Sequence, residues 1–243
     1  MQEIHYAAAR GDLETVQEEL SNGANVNHRQ PNYTSRSGES EYTPLIYAAG
    51  DSRAEAEMLE LLIKNGADVD MQSGSVETCA LGNAIRKGQL KKAKYLVSRG
   101  AKITYISKTG FNAWLDAAYC TSENKEEIFN WLFEFSELNI NQKSRRYGEH
   151  ICKRLSMFGE LKLLEKVLNA GGKRGVLKWT DLMWEIIYGS VESMTKELTA
   201  SNLKSVDCWE RDAWLLSAVV GCIEKAEAIL EFGADPCTTN RMG

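Results

Sequence analysis

Long apolar runs are missing from this chain. None of its uncharged stretches approaches the ~20 residues that a bilayer-spanning helix needs, which excludes a helical membrane protein. No apolar core follows Met1-Gln2-Glu3, so the start is read as lacking a secretory signal peptide. Paired cysteines are missing too. The six Cys, at 79, 120, 152, 208, 222 and 237, form no CxxC and share no pairing interval. They are expected to be reduced thiols, mostly small apolar side chains on helices, in a cytoplasmic protein. A basic excess is absent: 29 Lys and Arg against 34 Asp and Glu leave a net charge of −5. That argues against general nucleic-acid binding, which is driven by neutralising phosphates.

Catalytic signatures are also lacking. The chain has no G-x-S-x-G, no P-loop and no G-x-G-x-x-G. His5, His28 and His150 stand in no cluster with metal-ligand spacing. Glu126 and Glu127 are adjacent on a helical pattern, so they diverge by about 100° and form a solvated face. Gly171-Gly172-Lys173-Arg174-Gly175 follows a helical stretch, where a phosphate loop would precede one; it is read as a helix end. No catalytic residue, metal or cofactor is expected.

What the chain does have is a repeat. In residues 42–70, Leu45, Ala48 and Ala49 recur at i, i+3, i+4, the narrow apolar stripe of a short helix. Pro44 stands near that helix's first position, where a missing N–H costs nothing. A second apolar series, Met58, Leu59, Leu61, Leu62 and Ile63, stops at Asn65-Gly66, a helix-ending pair. Two short helices back to back cannot bury both faces alone and need a copy on each side. The copies follow. The helix-stop position recurs at Gly23, Gly66, Gly100, Ser136, Gly171, Ser201 and Gly233, with a period near ~33 residues.

The chain resembles the ankyrin-repeat family. The residues that carry the likeness are Thr43-Pro44-Leu45 with Ala48-Ala49, Ile4-His5 with Ala7-Ala8, Ala117-Ala118, and the Asn-Gly-Ala-Asx-Val-Asx runs at 22–27 and 65–70. It covers essentially the whole chain in about seven units, and is weakest in the fifth and sixth, where the Thr-Pro-Leu opening is gone. With only 3 Pro the array is a diverged one. Another helical-hairpin array, such as a tetratricopeptide one, is the alternative. The reading is an all-α solenoid with short β-hairpin or extended tips. It forms one domain over residues 1–243, with units near 1–30, 42–72, 73–107, 108–144, 145–177, 178–208 and 209–240 and a polar insertion at 28–41. The run from Asn240 to Gly243 looks like the opening of a further hairpin, and a longer natural chain is expected.

The resemblance implies a non-catalytic module that binds a protein partner through the concave face of turn tips and first-helix ends, and a structural hydrogen bond for His5. The pairs before each inter-helix turn are Ala9-Arg10, Arg86-Lys87, Tyr119-Cys120, Met157-Phe158, Ile187-Tyr188 and Val219-Val220. They change from basic to apolar along the chain. A contiguous exposed apolar patch marks a partner; burial between diverged repeats is the alternative. At the hairpin tips Phe111, Arg146, Tyr147, Trp179, Trp209 and Arg211 are of the types that anchor interfaces. Tyr33 in the insertion is a further candidate. Arg86, Lys87, Lys91, Lys92 and Lys94 form a basic set, read either as a solvated helix face or as a site for an acidic partner. The candidate contact residues are therefore Tyr33, Arg86, Lys87, Phe111, Arg146, Tyr147, Met157, Phe158, Trp179, Ile187, Tyr188, Trp209, Arg211 and Val220, on a protein expected to be a monomer. An inhibitor of a toxin or effector, or a recruiting domain of a longer protein, are the other functions considered.

Overall fold

The computed structural model describes residues 3–31, 41–73, 77–145 and 148–240. The chain is all-α except at hairpin tips. There β1 (Gln30–Pro31) pairs antiparallel with β2 (Glu41–Tyr42), and Ser73 and Thr78 form an isolated antiparallel bridge. Two compact units divide it, Met1–Glu149 and His150–Gly243.

The first unit holds the pairs α1 (Glu3–Arg10) and α2 (Leu13–Ser21), α3 (Pro44–Gly50) and α4 (Ala56–Lys64), α5 (Ala80–Arg86) and α6 (Leu90–Ser98), α7 (Ala113–Ala118) and α8 (Lys125–Leu132). The second holds α9 (Ile151–Met157) and α10 (Leu161–Asn169), then α11 (Asp181–Tyr188) with α12 (Val191–Lys196) and the short α13 (Ala200–Leu203), then α14 (Ala213–Val220) and α15 (Ile223–Glu231).

Local chemistry explains why each first helix after α1 starts where it does. The residue before it accepts a hydrogen bond from the backbone N–H three positions on, satisfying a donor the helix cannot use itself. Thr43 does so for Ile46, Cys79 for Gly82, Asn112 for Leu115, Thr180 for Met183 and Asp212 for Leu215. His150 caps α9 at a shorter interval, its Nδ1 accepting from the Cys152 N–H two positions on at 3.1 Å. So the Thr of the family pattern is replaced by Cys, Asn, His and Asp, each an acceptor. The sixth unit retains Thr180 and Leu182 at their places.

The second helices end on the recurring glycine. Gly66 has φ +88°, its N–H reaches Ile63 O at 3.0 Å, and the next N–H, of Ala67, reaches Leu62 O at 3.0 Å. No atom lies within 4 Å of where a Cβ would stand, so the backbone alone demands glycine here. Gly23, Gly100, Gly171 and Gly233 share the positive φ; Ser136 and Ser201, which hold the place in two units, do not.

Within the first unit the first helices stack in order: α1 on α3, α3 on α5, α5 on α7. Their small inward side chains allow it, with Ala7, Ala8, Ala48, Ala49, Ala84 and Ala117 all fully buried. Polar side chains then pin one pair to the next. The last Asx of each Asn-Gly-Ala-Asx-Val-Asx run reaches forward: Asn27 Oδ1 accepts from Asp68 N–H at 2.9 Å, and Asp70 Oδ1 accepts from Lys102 N–H at 2.9 Å. His5 Nε2 pairs with His28 O at 2.9 Å, as the resemblance implied.

A second pin is a buried lysine. Lys92, 4% exposed, donates to Ala48 O at 2.8 Å and Asp51 O, at the end of α3, and to Ala54 O at 3.0 Å in the turn that follows. In the second unit Lys225, 5% exposed, does the same to Glu185 O, Ile186 O and Gly189 O at 3.1, 2.7 and 2.7 Å, closing α11. Each ammonium sits where a helix's unused carbonyls and negative dipole end favour a cation. Both stand at the third position of a second helix.

In the second unit α11 packs on α14 and α12 on α15. The hairpin before α14 also reaches α9. Trp209 Nε1 donates to Lys153 O at 3.1 Å, Arg211 Nη1 donates to Ser156 O at 2.9 Å, and Val219 Cγ1 lies 3.3 Å from where a Cβ on Gly159 would be. The turn that ends α9 is thereby brought beside the end of α14.

Candidate partner-binding surface

The structure removes several expected anchors from the surface. Trp179 is 9% exposed, Ile187 7% and Arg211 5%. Arg211 is a core staple. Its Nε and Nη2 reach Asp207 Oδ2 at 2.9 and 2.6 Å, and its other contacts are Ser156 O and Ser156 Oγ, the latter at 2.6 Å. Trp179 Nε1 donates to the same Asp207 oxygen at 3.3 Å. Trp209 is half-buried on Lys153 O. These residues look like interface anchors in sequence because tip aromatics and arginines are also what hairpins use to grip their neighbours.

The basic half is corrected similarly. Arg86 lies in an internal network: Nε and Nη2 reach Asp116 Oδ1 at 2.9 and 2.5 Å, and Tyr105 OH donates to Asp116 Oδ2 at 2.5 Å. Its guanidinium also lies 4.9 Å from the Phe111 ring centre and 5.6 Å from that of Tyr119. Burial holds the Asp116 carboxyl above its ordinary value, against the pull of Arg86. Arg86 and Phe111 thus have structural partners, and Lys92 leaves the supposed basic face for the interior. Lys87, Lys91 and Lys94 are exposed. Tyr33, Arg146 and Tyr147 fall outside the described residues.

What stays outside in the second unit is apolar. Phe158, just past the end of α9, is 53% exposed and Tyr188, ending α11, 39%; Met157, ending α9, and Val220, ending α14, are half-buried. A row missed in the sequence runs beside them. The first residues of the second helices, Val191 and Ile223, are 37% and 70% exposed, with Leu161 half-buried at the same place in α10. Each inter-helix turn of this unit is therefore flanked by apolar side chains: Phe158 and Leu161, Tyr188 and Val191, Val220 and Ile223. The signal was available, because an apolar residue three positions after each of Phe158, Tyr188 and Val220 repeats in all three units.

A cleft of about 310 Å3 adjoins this strip between α10 and α11. Trp184 and Tyr188 stack in it with ring centres 6.1 Å apart and planes at 20°. Tyr188 OH donates to Leu161 O at 3.3 Å, and burial, with Glu165 next, pushes the phenol up to about 12. Arg174 lies 5.0 Å from the Trp184 ring centre. Glu165 and Glu185 supply the carboxylates, and Ser193 Oγ anchors Glu185 Oε2 at 2.5 Å.

Among the described residues no three His, Cys, Asp or Glu are grouped to hold a metal ion, and no helix is long and apolar enough to cross a membrane. Paired helices, glycine-closed and stacked through small side chains, define a helical-hairpin repeat protein. The likeness follows from the comparisons. Residues 4–107 match the family model for ankyrin repeats in three copies, so that stretch of the chain is similar to ankyrin repeats. Over 135 residues it is 29% identical to the Ankyrin repeat and KH domain-containing protein mask-1 of Caenorhabditis elegans. That alignment takes in 55% of this chain and 5% of the relative, so the chain spans a small fraction of that protein's length. Ankyrin repeats are in general non-catalytic protein-interaction modules.

Proposed function

We propose that this chain is a non-catalytic, cytoplasmic interaction module that binds a protein partner with the turn face of the His150–Gly243 unit. The observation that carries this is the exposed apolar pairing of Phe158, Tyr188, Val191 and Ile223 around successive turns. Side chains that serve only a stacked repeat have no reason to be apolar at exposed turns, and contiguous exposed apolar surface marks interaction sites. The equivalent turns of the other unit carry Arg10, Arg53 and Lys87, all exposed, but its second helices also open on apolar residues, exposed Leu13 and half-buried Leu90; what sets the His150–Gly243 unit apart is the exposed aromatic pair Phe158 and Tyr188 at its first-helix ends. A second reading, a recruiting domain within a longer protein, is supported by the size of the relative, of which this chain matches 5%.

The test uses a partner recovered on the immobilised chain and titrated by calorimetry. Phe158→Ala with Ile223→Ser should weaken binding by ~2 kcal/mol or more, about thirtyfold. Folding stability should shift by no more than ~0.5 kcal/mol per exposed site. Unchanged affinity would remove the face from the interface.

A further inference from the structure

The cleft between α10 and α11 is continuous with the proposed contact face, because Tyr188 belongs to both. Its chemistry is unlike the strip's. Two stacked aromatic rings, Trp184 and Tyr188, line its wall, and two carboxylates, Glu165 and Glu185, stand beside them. Arg174 is the one cation in the lining, so carboxylates outnumber it. Lys162 and Lys166 lie on α10 and Lys173 just before the 3-10 turn at 174–176, but none lines the cleft; Lys225, whose ammonium donates to Glu185 O and is felt by the Glu185 carboxylate, is also outside the lining. At about 310 Å3 the space is at the small end of ligand pockets, near ~300 Å3, and suits one long side chain better than a cofactor.

The chain already shows which group this wall accepts. Arg174 places its guanidinium 5.0 Å from the Trp184 ring centre. Aromatic faces attract guanidinium through the ring quadrupole, and carboxylates take its N–H groups in pairs. Arg174 is exposed and carried on the short 3-10 turn Arg174–Val176, and no salt bridge ties it down among those described. It is a weakly held resident of a site with carboxylates to spare.

We infer that the cleft receives an arginine side chain of the protein partner, which stacks against the Trp184–Tyr188 pair and is paired by Glu165 and Glu185. The partner's neighbouring apolar residue then lies on the Phe158, Val191 and Ile223 strip. Arg174 competes for the same aromatic wall. The inference rests on the contact face proposed above and adds the partner's chemistry.

The probe is acetyl-leucyl-arginine amide, compared with the same peptide carrying citrulline, which keeps the shape and loses the charge. Binding is followed in the full chain by the NMR signal of the Trp184 indole N–H, assigned with Trp184→Phe. The arginine peptide should shift it saturably, with a Kd on the order of 1 mM, and the citrulline peptide should bind about tenfold more weakly or worse. Glu165→Gln, at an exposed position that folding does not depend on, should lose most of the arginine preference. Arg174→Ala should tighten the arginine peptide by about threefold or more, since it removes the competing cation. Equal shifts from both peptides, no saturable shift up to ~20 mM, or weaker binding by Arg174→Ala would overturn the inference. If the cleft fails in this way while Phe158→Ala with Ile223→Ser still abolishes partner binding, the contact face stands without it. If the peptides behave as expected and the partner ignores that double substitution, the face fails and the cleft stands.

Discussion

Arg211→Met separates a structural tip residue from a binding one. The substitution keeps most of the apolar stem and removes the guanidinium. Arg211 and Asp207 are 5% and 3% exposed, so the pair is held away from water. Breaking a buried pair from one side costs ~3–5 kcal/mol, because the other charge is left uncompensated. The low end applies here. After the change Asp207 still accepts from Trp209 N–H at 2.7 Å, from the backbone N–H of residue 211 at 3.0 Å and from Trp179 Nε1 at 3.3 Å. Ser156 O keeps the Gly159 N–H at 3.3 Å, but Ser156 Oγ loses its guanidinium donor, which adds ~1 kcal/mol. The expected loss is therefore ~3–4 kcal/mol. A urea titration reads it. With a slope of ~1.5 kcal/mol per molar for a unit of this size, the midpoint should fall by ~2 M. Trp179 and Trp209 flank the pair and report on it by fluorescence, and hydrogen exchange in α9 and α14 shows whether this unit is the one that loosens. Asp207→Asn combined with Arg211→Met should recover ~1 kcal/mol or more relative to the sum of the single changes. A loss below ~1 kcal/mol for Arg211→Met would mean the pair is solvated and the tip free to bind, which would refute the burial argument.

Further tests follow from the same structure. Tyr105→Phe leaves Asp116 Oδ2 without its phenol donor inside the first unit and should cost ~1–3 kcal/mol in thermal or urea unfolding; a neutral result would mean water replaces it. Burial lowers the Lys92 pKa to about 8 in the fold, against 10.5 for the free side chain. The unfolded chain therefore binds more protons between those values, and stability should rise with pH from about 8 to 10.5 by a contribution that Lys92→Met abolishes. A parallel pH profile for the two proteins would count against it. Gly66→Ala meets no atom and should cost ~1–2 kcal/mol through backbone conformation alone, measured as a midpoint shift with unchanged slope. Among the thiols, exposed Cys237 should react first with a disulfide reagent, while buried Cys79 and Cys152, pushed up to about 12 by burial, should react only on unfolding; rapid reaction of Cys79 in the native protein would contradict its burial.

The sequence alone settled the features that depend on local backbone chemistry. Gly66 and its counterparts announce helix ends because few other residues tolerate a positive φ, and that demand does not depend on what packs nearby. Thr43 and Pro44 mark a helix start for the same kind of reason, and the period of these signals sets the number of helix pairs. The Asx runs at 22–27 and 65–70 are legible as well, since their hydrogen bonds lie within a turn or one repeat forward. Inside-or-outside assignment was decided only in three dimensions. Lys91, Lys92 and Lys94 are one basic run in sequence, yet Lys92 alone turns inward, to carbonyls more than 35 residues away. Its four-residue spacing to buried Leu96, matched by Lys225 and Ile229, was the one available hint. Trp179 and Arg211 could not be told from Phe158 and Tyr188 by residue type, because grip between repeats and grip on a partner use the same side chains. Which of the two each performs depends on whether a neighbouring helix lies over it, and that is set by the stacking of whole repeats.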